Sequence, residues 1–186
     1  MSSSATSQLP ANYVLDHTIN IQQDDKAKIQ GYFIAIALVA FAIALLFDLP
    51  ITSDWHTGVV IVITIIAVVV YLALHEATHG IVAKWLTQTP STYSFSFPFL
   101  RTSNTGFLTR RGLAAVSLAP VAVWGVVLLL ALLVVPEDFR MTLYILLALN
   151  FAGSSGDCIE AAAALKQPEN TLLRDNGDEL EVYLPA

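Results

Sequence analysis

The sequence predicts an all-α integral membrane protein with about four transmembrane helices and a short cytoplasmic β-hairpin loop between the second and third helices. Hydrophobic residues make up 55% of the 186 residues and charged residues only 13%, whereas a soluble domain is about a quarter charged. The apolar residues gather in four long stretches, and most basic residues fall on one side of the topology that these stretches define. Such a chain needs the lipid bilayer as the solvent for its apolar surface.

The four uncharged apolar stretches predict the helices. Each is close to the roughly 20 residues that one span requires. Backbone in lipid must satisfy its own hydrogen bonds, so these stretches are expected to be helical. Pro120 falls within the third stretch and should bend that helix where a neighbouring group covers the carbonyl that the proline leaves free. The predicted helices cover residues 29–48, 56–87, 112–135 and 139–166.

The length of the chain allows one sizeable domain. Residues 1–12 begin with a Ser-rich, uncharged run and are predicted to be a disordered tail, while residues 13–186 are predicted to form a single membrane domain. The single cysteine, Cys158, excludes an intramolecular disulfide. The net charge of −6 argues against nucleic acid as a partner, because such proteins present a basic face.

Two segments outside the apolar stretches carry strand signals. Polar and aromatic residues alternate in Ser91–Phe97, as in a half-buried strand, and Phe107–Thr109 could return as the second strand of a hairpin. Near the end of the chain, Asn176-Gly177 is a hairpin signal between two apolar runs, 172–173 and 180–183.

The distribution of Lys and Arg predicts the orientation of the chain in the membrane. Eight of the nine basic residues lie before the first span, between the second and third, or after the fourth, and only Arg140 lies in the other two connections. We therefore predict a multi-pass protein of the plasma membrane with both termini and the middle loop in the cytoplasm.

A metal-binding motif, His75-Glu76-Ala77-Thr78-His79, continues the second apolar stretch. Residues four apart on a helix lie one turn apart on the same face, so both imidazoles can bind one metal ion. Zinc lowers the pKa of a bound water to about 7, and the carboxylate of Glu76 is placed to take its proton. A His-Glu-His cluster at membrane depth is costly unless something compensates it, which favours a metal ion over coincidence.

A catalytic zinc usually has a third protein ligand. His17 and His56 lie in a polar segment and in an outer turn, and both are expected to be ordinary surface histidines. Asp157 is the better candidate, because it ends the apolar run of the fourth span at a depth of roughly 13 Å, similar to that of His75. Glu160, one turn further, is the rival third ligand.

Asn150 lies two helical turns before Asp157 on the same face. It could hydrogen-bond the substrate backbone or a developing oxyanion, which would make it catalytic beside Glu76. The alternative is a polar contact between helices.

With His75-Glu76-x-x-His79-Gly80 and Asn150-x6-Asp157, the chain resembles the small integral-membrane zincin peptidases, which are themselves similar to site-2 proteases, the intramembrane zinc metalloproteases. The similarity covers the chain from about Leu9 to Tyr183. The resemblance implies Zn2+ as the cofactor, with His75, His79 and Asp157 as metal ligands and Glu76 as the base. It also implies a metalloprotease-like domain over residues 13–186 and proteolysis within the membrane.

Three functions are compatible with these residues. The first is a zinc-dependent metallopeptidase that hydrolyses peptide bonds of transmembrane or membrane-proximal protein substrates by a zinc-activated water. The second is a non-proteolytic protein that retains the site to bind a metal or to hold a substrate. The third is a metal transporter, for which four helices are few. A pure binder has no need of Glu76, and this favours the peptidase. The oligomeric state is not predicted.

The predicted topology is testable with a Ser103→Cys variant. Because Ser103 lies in the middle loop, the new thiol should face the cytoplasm and resist membrane-impermeant thiol reagents in intact cells. Rapid labelling in intact cells would contradict this orientation.

Overall fold

Helices make up most of the computed structural model, which describes residues 5–47, 49, 53–96, 99–177 and 179–186. The helices are α1 (Ile21–Asp24), α2 (Lys26–Leu46), α3 (Thr57–Thr87), α4 (Arg110–Val134), α5 (Glu137–Gly153) and α6 (Ser155–Lys166). The strands are β1 (Ala5–Thr6), β2 (Tyr13–Ile19), β3 (Ser91–Ser96), β4 (Phe99–Asn104), β5 (Phe107–Thr109), β6 (Leu172–Asp175) and β7 (Leu180–Pro185).

Four helical segments are long and apolar enough to cross a membrane, as the sequence predicts: α2, α3, α4 and the α5–α6 segment. Their ends lie within three residues of the predicted ones. No residue of α2 is buried, and its apolar side chains form a surface that lipid can cover. The Tyr144 hydroxyl of α5 donates a hydrogen bond to the Ala40 carbonyl of α2.

The fourth predicted helix is interrupted at Ser154, where α5 ends and α6 begins. Ser154 and Ser155 turn their hydroxyls back onto the main chain and donate to the carbonyls of Asn150 and Ala152. Such local hydrogen bonds compete with the regular helix and are a common cause of a bend. Asp157 consequently lies in the first turn of a new helix, where a negative charge is favoured.

The all-α prediction misses a five-stranded antiparallel sheet with the strand order β1-β5-β6-β7-β2. The hairpin predicted around Asn176-Gly177 is present as β6 and β7, with Leu173 opposite Val182. β2 had no clear alternation in the sequence, because a register shift between Leu15 and His17 interrupts it. Three distant parts of the chain therefore meet in one sheet at one end of the bundle.

The middle hairpin differs from the prediction in its second strand. β3 pairs with β4, with Ser91 opposite Asn104 and Ser96 opposite Phe99, whereas Phe107–Thr109 forms β5 in the larger sheet. The short connection after Ser96 favours the nearer partner. Phe97, included in the predicted strand, lies outside the described residues.

One asparagine side chain closes the base of this hairpin. The Asn104 carbonyl oxygen accepts from the Gly106 N–H and from the Thr89 hydroxyl, and its NH2 group donates to the Ser91 hydroxyl. Asn104 is also bonded to Thr87 in the last turn of α3. These bonds turn the chain away from β4 and hold the hairpin against the end of α3.

Apolar side chains join the sheet to the helices. Leu173, Val182 and Leu180 of the sheet pack with Leu113 of α4 and Ala164 of α6, and all five are nearly inaccessible to solvent. A second core, within the bundle, surrounds Tyr71, Leu128, Leu146 and Leu147. The site described below lies between these two cores.

Within the segment 1–12, expected to be a disordered tail, Ala5–Thr6 form β1 and pair with Phe107–Leu108. Residues 1–4 lie outside the described part of the chain. The Tyr13 hydroxyl donates to the Asn170 carbonyl, which ties the start of β2 to the segment before β6.

A Glu181→Gln variant tests the charge cluster on the β6–β7 hairpin. Burial raises the pKa of Glu181, but hydrogen bonds from Arg174, Tyr183 and Asn176 lower it, and the net shift of the pKa is downward. The carboxylate therefore stabilises the hairpin above the ordinary pKa of 4.5, and this stabilisation is lost as the pH falls through the lower folded pKa. Near pH 7 the variant should lose at most about 1 kcal/mol of local opening free energy, measured by amide hydrogen exchange. Glu179→Gln in the same turn is the control, and equal losses in both would contradict the assignment.

Candidate metal centre

Three predicted ligands come together between α3 and α6. His75 Nε2 lies 3.2 Å from Asp157 Oδ2, and His79 Nε2 lies 3.5 Å from Asp157 Oδ1. One potential ligand atom from each of the three residues lies within 4.8 Å of the others. The histidine side chains are 13% exposed and the aspartate side chain is 22% exposed, so the cluster is mostly shielded but still reachable.

The tautomer of His79 follows from its second ring nitrogen. His79 Nδ1 lies 3.0 Å from the main-chain carbonyl oxygen of Val116 in α4. A carbonyl only accepts hydrogen bonds, so Nδ1 carries a proton and donates it. In the neutral ring the lone pair is then on Nε2, which is the nitrogen that faces Asp157.

The tautomer of His75 is set through a longer chain of hydrogen bonds. Asn150 Nδ2 donates to the Val121 carbonyl at 3.0 Å, which turns Oδ1 of the same amide toward Tyr71. The Tyr71 hydroxyl donates to Asn150 Oδ1 at 2.9 Å, and its oxygen lies 3.1 Å from His75 Nδ1. Because the hydroxyl has only one proton, it accepts from His75 Nδ1–H. The lone pair of His75 is therefore also on Nε2.

With both rings neutral, the lone pairs of the two Nε2 atoms face the carboxylate oxygens of Asp157. Hydrogen-bond acceptors that face each other repel unless a cation lies between them. Protons on both rings or a shared metal ion would meet this need. The two Nε2 atoms lie 3.2 and 3.5 Å from different oxygens of Asp157, separations that are short enough for ligand atoms to share one zinc ion at about 2.1 Å from each. Two imidazoles and one carboxylate are also the donor set of many catalytic zinc sites. The residues present therefore fit Zn2+.

Glu76 projects toward the middle hairpin rather than into the three-residue cluster. Its Oε1 accepts a hydrogen bond from the Thr102 N–H of β4, and the Thr102 hydroxyl donates to the main-chain carbonyl of Glu76. Two further contacts hold the hairpin on the motif helix: the Ser91 hydroxyl donates to the Gly80 carbonyl, and the Tyr93 ring lies against Gly80. A Cβ at Gly80 would overlap the Tyr93 hydroxyl, so this close approach depends on glycine.

Asn150 is completely buried, and its amide is bonded to Tyr71 and Val121. These contacts correspond to the polar contact between helices that the sequence left as the alternative to a catalytic role. Gly125 makes room for the amide, because a Cβ at this position would lie 3.3 Å from Asn150 Nδ2.

The other sequence candidates lie apart from the cluster. Glu160, the rival third ligand, lies beside Ser117, whose hydroxyl is 2.9 Å from Glu160 Oε2, and it is not one of the three clustered residues. His17 is in β2 next to Asp16, and His56 caps the start of α3 at the opposite end of that helix from the sheet.

The sequence did not reveal the groups that bond the side chains of His75, His79 and Glu76, namely the Tyr71 hydroxyl, the Val116 carbonyl and the Thr102 N–H. Tyr71 carried a usable signal, since it lies one helical turn before His75 on the same face. The other two are main-chain groups, 37 and 26 residues away from their partners, and no side-chain pattern marks them.

The chain matches the model of one known protein family. A family model described as "putative zincin peptidase" matches residues 67–172, more than half of the chain, and this range includes all three clustered residues. No curated protein and no solved structure matches the chain.

Single His75→Ala and Asp157→Ala variants test the ligand set. The detergent-purified wild-type protein should contain about one zinc per chain, and each variant should lose it, because two ligands hold the ion poorly. Metal analysis by inductively coupled plasma mass spectrometry is the measurement, with His56→Ala as the matched control. Loss of zinc in His75→Ala but not in Asp157→Ala would move the third ligand to another group, Glu160 being the nearest alternative on α6.

Proposed function

Because the chain belongs to the zincin peptidase family, we propose that it is an intramembrane zinc metalloprotease that cleaves transmembrane or membrane-proximal protein substrates. The observation that carries the proposal is the His75–His79–Asp157 cluster, held between two helical segments that are long and apolar enough to cross a membrane. Family membership alone suggests metallopeptidase activity. The position of the cluster between these apolar helices supports an active site within the membrane.

The depth of the cluster supports a site inside the bilayer near one surface. His79 lies eight residues before the end of α3, which corresponds to roughly 12 Å along the helix. Asp157 lies nine residues before the end of α6, or roughly 13 Å. Both helices end at the sheet, so the site is nearer to the sheet than to the opposite end of the bundle. By the distribution of basic residues, we place the sheet on the cytoplasmic side of the cell membrane.

His75, His79 and Asp157 would hold the zinc ion. When bound, zinc polarises the scissile carbonyl and lowers the pKa of a water to about 7. Both Nδ1–H groups are engaged by fixed acceptors, so the imidazoles present their Nε2 lone pairs without reorientation. Asn150 acts on the reaction through Tyr71 in this proposal, as a positioning residue rather than a catalytic one.

Glu76 is the general base and then the general acid. Its carboxylate takes a proton from the attacking water as the new C–O bond forms, and it gives that proton to the amine as the C–N bond breaks. In the structure the carboxylate is bonded to the Thr102 N–H, so β4 holds it in one orientation. We propose that substrate entering between the hairpin and α3 releases the carboxylate from this bond, so that it can turn toward the cluster.

One observation favours a second candidate, a membrane protein that binds metal or holds a substrate without cleaving it. Within the part of the chain that the structure describes, the Glu76 carboxylate is hydrogen-bonded to the Thr102 N–H of β4 and not to the metal cluster, an arrangement that a purely structural carboxylate would also have. The two functions differ in whether the chemistry of Glu76 is required.

A Glu76→Gln variant separates the two functions. The amide keeps the size of the side chain but cannot take a proton, so cleavage should fall by at least about a hundredfold while zinc content is unchanged. Membrane-protein fragments released in cells expressing the wild type or the variant are compared by mass spectrometry. Glu137→Gln, at the opposite end of the bundle from the sheet, is the control and should cleave normally. Identical fragment patterns in the wild type and Glu76→Gln would overturn the protease proposal and favour the holding protein.

A further inference from the structure

Pro120 lies inside α4 and is almost completely buried. A residue at this position would ordinarily donate its N–H to the carbonyl four residues earlier, and that carbonyl belongs to Val116. Proline has no N–H, so the Val116 carbonyl loses its partner within the helix. A carbonyl without a partner in an apolar interior costs free energy unless another donor reaches it.

The donor that reaches it is a clustered histidine. His79 Nδ1 lies 3.0 Å from the Val116 oxygen, and the two residues are on different helices, 37 positions apart in the chain. The sequence predicts only that some neighbour would cover the freed carbonyl. In the structure that neighbour is one of the three clustered residues.

We propose that Pro120 is a positioning residue for the metal site, acting through the Val116 carbonyl on His79. By removing one donor, the proline leaves this carbonyl to accept from the imidazole. The bond holds the ring with Nδ1 protonated and Nε2 directed at Asp157. Acceptors behind metal-binding histidines commonly contribute tenfold to a hundredfold in metal affinity. The consequence for catalysis rests on the proposed function, whereas the effect on the tautomer does not.

A Pro120→Ala variant supplies the missing N–H. The new amide competes with His79 for the Val116 carbonyl and can draw that carbonyl into the hydrogen bonding of the helix, away from the imidazole. Alanine is a far better helix former than proline, so the variant should fold. Pro120→Gly, which restores the same N–H, is the second variant. Val126→Ala is the matched control, because it changes an exposed residue of the same helix away from the site.

Two measurements on the full-length protein in detergent test the proposal. Zinc affinity is measured by competition with a chromophoric chelator, and it should fall about tenfold to a hundredfold in Pro120→Ala but not in Val126→Ala. The His79 tautomer is measured without metal, at a pH high enough for the ring to be neutral, by nitrogen-15 NMR and assigned with a His79→Gln variant. The wild type should show the Nδ1–H form, and Pro120→Ala should show a mixture of both neutral forms.

The outcomes separate this inference from the proposed function. Unchanged zinc affinity and tautomer in Pro120→Ala would overturn the positioning role and leave the protease proposal standing. A loss of affinity with an unchanged tautomer would also overturn it, because packing alone would then account for the loss. A wild type that binds no zinc would overturn the proposed function, while the tautomer comparison would still decide whether Pro120 acts on His79.

Discussion

The geometry of the candidate metal centre depends on two main-chain carbonyls of α4. The Val121 carbonyl orients the Asn150 amide, which orients the Tyr71 hydroxyl and through it His75. The Val116 carbonyl acts on His79 directly. In the apolar interior of the bundle no bulk water is available to satisfy these groups, so each buried polar atom must find a protein partner. The need to pair every buried polar atom makes the site costly to bury, and it also fixes the orientation of both imidazole rings.

Much of the fold was predictable because its strongest determinants are local. Long apolar stretches specify α2, α3 and α4, and their ends follow from the polar residues around them. Non-local pairing was harder. β2 has a register shift that hides its alternation, and it is paired with a strand more than 160 residues later in the chain. The break at Ser154 was also missed, because small and hydroxyl residues serve equally well for close helix packing and for bends.

Helical spacing along the sequence was enough to predict which three side chains form the candidate site. His75 and His79 lie one turn apart on the same helix, and matching depth pointed to Asp157 on another helix. The contacts of Asn150 needed coordinates, because spacing places it on the same face as Asp157 but does not give its partners, Tyr71 and Val121. Main-chain groups supply much of the support around the motif, and a sequence pattern describes side chains only.

The strand order of the sheet has a consequence for the order of events during synthesis. β7 lies between β6 and β2, so among the described strands β2 has β7 as its partner and cannot pair until β7 has been made. The Ala186 N–H, which donates to the Asn12 carbonyl, closes this pairing. All four apolar segments precede β7 in the chain, so they are made before the sheet can be completed. Completion of the sheet is therefore a late step, and it gathers the ends of helices that have already been synthesised.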